Sequence, residues 1–313
     1  MADNQLAVVF PGQGSQKVGM LAELAAQYPV VQETFAQASE ALGYDLWQLV
    51  QDGPQEELNL TERTQPMLLT ASIAIWRIWK DKGGPQPVLM AGHSLGEWSA
   101  LVASEVVAFK DAVKLVQLRG KYMQQAVPQG VGAMAAIIGL DDDKIKQACE
   151  DAAQGEVVAA VNFNSPGQVV IAGHAGAVDR ASELCKEAGA KRAMPLPVSA
   201  PFHTSLMRPA ADQLADQIRA TRFSAPQVPV VHNVNANTES DPARIQELMI
   251  EQIYTPVYWV DCTLALAAAG VSGVLECGPG KVLSGLCKRI DRNLAAYSTE
   301  TPAELDAALE ALG

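Results

Sequence analysis

Pro87-Val88-Leu89-Met90-Ala91, then Gly92-His93-Ser94-Leu95-Gly96, then a helix-forming run from Glu97 to Ala103, is the stretch on which the fold turns. A short apolar strand enters a tight glycine-flanked turn and leaves as a helix. Buried parallel strands read in this way, as brief continuous apolar runs. The turn fits G-x-S-x-G, the pattern that lifts a serine hydroxyl at the carboxyl end of a sheet. In that position the N–H of Leu95, at the helix start, points toward the oxygen of whatever Ser94 attacks.

The same grammar recurs on either side. Leu6-Ala7-Val8-Val9-Phe10 is a second buried strand, closed by Pro11-Gly12-Gln13-Gly14-Ser15-Gln16. That loop is not a dinucleotide fingerprint and has no phosphate-loop lysine, but its N–H groups suit an oxyanion, with Gln13 as the obvious donor position. Helical periodicity covers 19–43 with a break near Pro29, then 64–80 with Pro66 in the first turn, then 111–126. Near Val127-Pro128 the texture changes. Strand, helix, strand, strand, helix, strand follow between Met134 and Val198, which is the ferredoxin-like order. Helices over 207–221, 243–253 and 259–269 follow, with strands over 228–233 and 271–276. After Gly278-Pro279-Gly280 the chain reads as one last helical stretch. The fold class is therefore α/β: a parallel-sheet domain over 1–127 and 199–313, with a small ferredoxin-like α+β subdomain inserted at 128–198.

Composition excludes several functions. The 313 residues are 49 % hydrophobic and 19 % charged, enough apolar material for a large core. Lys plus Arg is 23 against 35 for Asp plus Glu, a formal net charge of −12. So acidic a chain is unsuited to nucleic acid or an anionic membrane through its overall field. The five cysteines show no C-x-x-C spacing, so no metal site or disulfide framework is expected and the thiols read as free, in a reducing cytoplasm. The first residues lack the basic region of a signal peptide, and the longest apolar run, Leu264 to Leu275, is too short to cross a bilayer.

A serine nucleophile needs a base, and His93, His174, His203 and His232 are the histidines available. Side chains of adjacent residues diverge, which suits His93 to packing. His174 ends a small-subdomain strand, and His232 reads as a core histidine. His203 follows a proline turn and opens a helix, a rigid position suited to a general base. Spacing alone leaves the choice open. Arg119, followed by Gly120 in mid-helix, is either a surface arginine or a planar clamp for a carboxylate.

Seven motifs in order carry a resemblance: Val9-Phe10-Pro11-Gly12-Gln13-Gly14-Ser15-Gln16; Gly92-His93-Ser94-Leu95-Gly96-Glu97; Gln117-Leu118-Arg119-Gly120; Ala133-Met134-Ala135-Ala136; Asn162 with Asn164-Ser165-Pro166-Gly167-Gln168; Ser199-Ala200-Pro201-Phe202-His203; and Glu276-Cys277-Gly278-Pro279-Gly280. From about residue 6 to 290 the chain resembles the malonyl-CoA:acyl carrier protein transacylases of bacterial type II fatty-acid synthesis. The resemblance implies a hydrolase-like α/β domain carrying the ferredoxin-like insertion. It implies Ser94 as acyl acceptor, His203 as its base, and the N–H groups of Gln13 and Leu95 as oxyanion hole. Arg119 is implied to bind the malonyl carboxylate, Gln252 to orient the histidine through its backbone carbonyl, Asn162 to line the cleft, and Phe202 to select malonyl. The implied partners are malonyl-CoA and acyl carrier protein, with no cofactor beyond the coenzyme A thioester. Lys121, Lys191, Arg192, Lys281, Lys288 and Arg289 are the cations expected to form a docking patch. The competing readings are a serine esterase, which would place an acidic residue between serine and histidine, and a non-catalytic docking module that keeps the fold.

Overall fold

A computed structural model describes residues 5–198 and 200–313. In chain order the elements are β1 (Leu6–Phe10), α1 (Ala22–Gln27), α2 (Val30–Leu42), α3 (Leu46–Asp52), α4 (Gln55–Leu58), α5 (Thr61–Asp81), β2 (Leu89–Gly92), α6 (Leu95–Ala103) and α7 (Phe109–Gln125). The middle of the chain holds β3 (Gly132–Ile138), α8 (Asp142–Ala153), β4 (Val158–Ser165), β5 (Gln168–His174), α9 (Ala175–Glu187) and β6 (Arg192–Pro195). The remainder is α10 (Arg208–Ala220), β7 (Val230–Val231), α11 (Pro242–Glu251), α12 (Trp259–Ala268), β8 (Gly273–Glu276), α13 (Val282–Ile290), β9 (Ala295–Ser298) and α14 (Pro302–Leu312).

Five strands form a parallel sheet in the order β7-β2-β1-β8-β9. All of β1 is buried, as a strand covered by helices on both faces must be. Phe10 pairs with Gly92, so the loops leaving β1 and β2 emerge side by side. His232 and Asn233 follow β7 at the same edge. Ligands of open α/β sheets bind outside the carboxyl ends of strands, and three loops converge there.

The second sheet is antiparallel in the order β4-β5-β3-β6, the ferredoxin-like arrangement. Its alternation does two jobs. Ala135, Ile137, Val169 and Ile171 pack into a core that includes Ile145 of α8 and Ala181 of α9, whereas Met134, Ala136, Val170 and Ala172 join the main core. Two backbone bonds fasten β4 to the segment after α11: Phe163 N–H to Val257 O at 3.0 Å and Val257 N–H to Val161 O at 2.7 Å.

Several expectations need correction. The helix read from residue 64 begins at Thr61, which puts Pro66 inside it rather than in its first turn. The strand expected over 228–233 shrinks to Val230–Val231. The final helical stretch is two helices separated by β9, whose Ala295-Ala296-Tyr297-Ser298 lacks the apolar run by which buried strands are read. Helices α3 and α4 are additional to the expected elements. All five cysteines are buried and free. Among the described residues no helix is long and apolar enough to cross a membrane. Met1 to Asn4 and Ser199, including the subdomain boundary expected at 198–199, lie outside the described residues.

Candidate active site

Ser94 sits between β2 and α6 at φ 51° and ψ −108°, a conformation side chains rarely adopt. The neighbours hold it there. A Cβ on Gly96 would lie 2.0 Å from the carbonyl oxygen of Phe10, so only glycine lets α6 start so close to β1. Asn233 closes the turn from the other side: its Nδ2 donates to Gly92 O at 2.7 Å, and its Oδ1 accepts from Ser94 N–H at 2.8 Å.

His203 follows Pro201 and Phe202 and precedes a short 3-10 turn at Ser205–Met207, which leads into α10 at Arg208. Its φ is also positive, at 62°. His203 Nδ1 lies 2.9 Å from the carbonyl oxygen of Gln252, and Nε2 lies 2.8 Å from Ser94 Oγ. A carbonyl can only accept, so the proton belongs on Nδ1. That leaves Nε2 as the acceptor for the serine hydroxyl. His203 is 4 % exposed. Burial, and next the Arg119 guanidinium, hold its pKa down to about 3, so at neutral pH it is an uncharged base.

Arg119 arrives on α7 and is 1 % exposed. Gly120 beside it is required by close approach, since a Cβ there would meet Thr61 O at 2.5 Å where α5 begins. The contact brings Arg119 against Gln65 of α5. Nη1 donates to Gln65 Oε1 at 2.9 Å, and Nη2 donates to Gln252 Oε1 at 2.8 Å and to Ser94 Oγ at 3.2 Å. Burial lowers the guanidinium pKa to about 10, opposed by the negative charge of Glu97, so the cation persists at neutral pH.

A cavity of about 130 Å³ opens here. Ser94, Leu95, Gln13, Arg119, Asn162, Phe202 and His203 all line it, and Gln252 lies behind its wall. Among the described residues, neither the Leu95 nor the Gln13 backbone N–H finds an acceptor. Asn162 Oδ1 is buried with no partner among the described residues. His93 also lines the cavity, bonded through Nε2 to Asn164 Oδ1 at 2.8 Å, with burial lowering its pKa. His174 lies elsewhere, its Nδ1 accepting from Val157 N–H at 2.9 Å. His232 is fully buried against Glu97 at 2.7 Å. Glu97, Gln65 and Asn233 were given no role from sequence. Glu97 alone carried a signal, a charged residue in an otherwise apolar run.

Of the six cations expected to form a patch, Lys281 is engaged by Glu304, and Arg289 Nη1 donates to Gln168 Oε1 at 2.6 Å. Lys121, Lys191, Arg192 and Lys288 are exposed.

Comparison with known proteins shows the family and the fold. The acyl transferase domain family matches residues 7–292. The Salmonella typhimurium malonyl CoA-acyl carrier protein transacylase is 62 % identical over 305 residues, covering 97 % of this chain and 99 % of the relative. A crystal structure of an acyl carrier protein S-malonyltransferase from Vibrio cholerae superposes with TM-score 0.95 at 62 % identity, covering 97 % of this chain and 99 % of that one. A type II polyketide-synthase acyl-carrier protein in complex with its malonyl-transacylase gives TM-score 0.97 at 57 % identity, covering 98 % and 99 %. The family match over residues 7–292 and the full-length likeness lead to one conclusion: the chain belongs to the malonyl-CoA:acyl carrier protein transacylase family of acyl transferases.

Proposed function

We propose that this protein moves a malonyl group from coenzyme A to the phosphopantetheine thiol of acyl carrier protein, for fatty-acid chain elongation. One observation carries the reading. Ser94 Oγ, 2.8 Å from a neutral His203, also receives a buried guanidinium at 3.2 Å. A nucleophile, its base and a carboxylate reader meet at one oxygen.

The chemistry is ping-pong acyl transfer. Ser94 Oγ attacks the thioester carbonyl while His203 Nε2 takes the hydroxyl proton. The Gln252 carbonyl holds the imidazole where a triad would use a carboxylate. The N–H groups of Leu95 and Gln13 receive the tetrahedral oxyanion. Coenzyme A leaves as the thiol, protonated from His203. The carrier-protein thiol then gives its proton to His203 and attacks the malonyl ester, and His203 returns that proton to Ser94 Oγ as the ester bond breaks. Arg119 pairs with the free carboxylate throughout. Asn162 lines the cleft, and Phe202 limits the acyl slot to malonyl. In this reading the coenzyme A thioester is substrate, no metal or redox cofactor takes part, and the protein works in the cytoplasm. We divide the chain at 128 and 198, with 1–127 and 199–313 supplying Ser94, Arg119 and His203, and the small subdomain supplying Asn162.

Malonyl-CoA alone should add one malonyl group per chain, seen by intact mass, and Ser94→Ala should remove it. Labelling that survives in the mutant would mean that another nucleophile does the chemistry.

A further inference from the structure

Glu97 is a carboxylate at 0 % exposure beneath the active site, and the chemistry above gives it no task. Its contacts run to three residues behind the site. Oε2 accepts from Gln252 Nε2 at 2.6 Å and from Asn233 N–H at 3.2 Å, and Oε1 lies 2.7 Å from His232 Nδ1. Gln252 in turn donates from Nε2 to Ser94 O at 3.0 Å and accepts from Arg119 Nη2. The two ends of the Gln252 amide therefore face opposite charges. A carboxylate demands the NH2 end and a guanidinium demands the oxygen, so the amide has a single orientation.

Among the described residues, the hydrogen-bond partners of Arg119 are neutral: Gln65, Gln252 and the Ser94 hydroxyl. A buried cation without a counter-charge is strongly disfavoured. A carboxylate in direct contact would satisfy it but would occupy the groups a substrate carboxylate needs.

We propose that Glu97 is a positioning and specificity-determining residue: it is the counter-charge of Arg119, held one amide away by Gln252 so that the guanidinium stays charged and fixed yet free to receive the malonyl carboxylate. The proposal rests on the transfer reading above. Burial lowers the Arg119 pKa to about 10, and the negative charge of Glu97 opposes that lowering, which is consistent with it.

Moving the charge tests the spacing. Glu97→Gln combined with Gln252→Glu keeps one carboxylate and one amide in the pair, and the backbone carbonyl on His203 is untouched. It places the carboxylate directly on Arg119. The malonyl-to-acetyl ratio of kcat/KM should fall at least about ten-fold, through KM for malonyl-CoA. Glu97→Gln alone removes the counter-charge. Its melting temperature should drop, and malonylation of Ser94 should raise it by more than in wild type, because the substrate then supplies the missing charge. Glu97→Asp should recover most of the loss. An unchanged ratio in the exchanged pair, or an equal melting shift on malonylation in Glu97→Gln and wild type, overturns the proposal. If Glu97→Gln cannot be recovered folded, the exchanged pair decides alone. Wild type that fails to become malonylated would instead overturn the transfer reading.

Discussion

The far face of the antiparallel sheet and the ground beneath Ser94 are both closed to water, but they are filled with different chemistry. The first is built on apolar side chains, with Ile137, Ile145, Val169 and Ile171 among them. The second holds Glu97, Arg119, His203, Asn233 and Gln252, each under 5 % exposed. Apolar contacts are non-directional, so such a core accepts many fillings of the right volume. Beneath Ser94 each donor faces a particular acceptor, and losing one partner strands another. The small sheet contributes rigidity, whereas the polar ground fixes the position of one oxygen.

That contrast can be broken hardest at Arg119. Removing a buried charged partner is worth about 2–5 kcal/mol, so Arg119→Ala should cut malonyl transfer by about two to three orders of magnitude. Acetyl transfer should hold or rise, since no cation is left unpaired. Arg119→Lys should recover part, lacking the planar fork. Steady-state kcat/KM for both thioesters checks this, and equal losses on both would assign Arg119 to the fold instead.

The apolar side of the contrast predicts the opposite signature. Ile137→Ala should destabilise by about 2–5 kcal/mol in urea unfolding while leaving the rate per folded molecule near wild type. A large fall in kcat at full folding would mean that the two regions are coupled more tightly than their contacts imply.

A smaller effect concerns pH. The folded His203 titrates near 3, against 6.5 for an unperturbed imidazole. Between those values the unfolded chain holds the proton and the folded one does not. The stability linked to His203 is therefore complete above 6.5 and is lost as pH falls toward 3. His203→Gln should flatten the stability slope in that window, read by denaturant midpoints at about pH 7 and pH 4. An unaltered slope would place the titration elsewhere.

The smallest effect lies at the surface. Reversing Lys191, Arg192 and Lys288 together should raise KM for the carrier protein roughly two- to ten-fold, with malonylation of Ser94 by malonyl-CoA alone unchanged. No change in KM would move the docking surface away from these cations.

What was legible in sequence follows the range of the forces. The strand at Leu6–Phe10 and the turn at Ser94 are written in consecutive residues, and local sterics decide them. Strand β7 is two residues long and β9 is poorly buried, so neither carries a periodic signal. Gln65, Asn233 and Gln252 are joined to Arg119 or Ser94 across 54, 139 and 133 residues of sequence. A glutamine that will meet a guanidinium reads like any other until the helices pack. Only the resemblance singled out Gln252, and it did so for its carbonyl rather than its side chain.

The two backbone bonds at Val257 have a use of their own. They bind β4, whose Asn162 lines the cavity, to the chain that follows Gln252, so the wall and the floor of the site share one seam. Deuterium uptake at the Phe163 and Val257 amides therefore measures the opening of that seam. Amides that stay protonated through many turnovers would mean that substrates enter and leave a cleft of constant width. Exchange quickened by carrier protein would mean that the cleft breathes with each delivery.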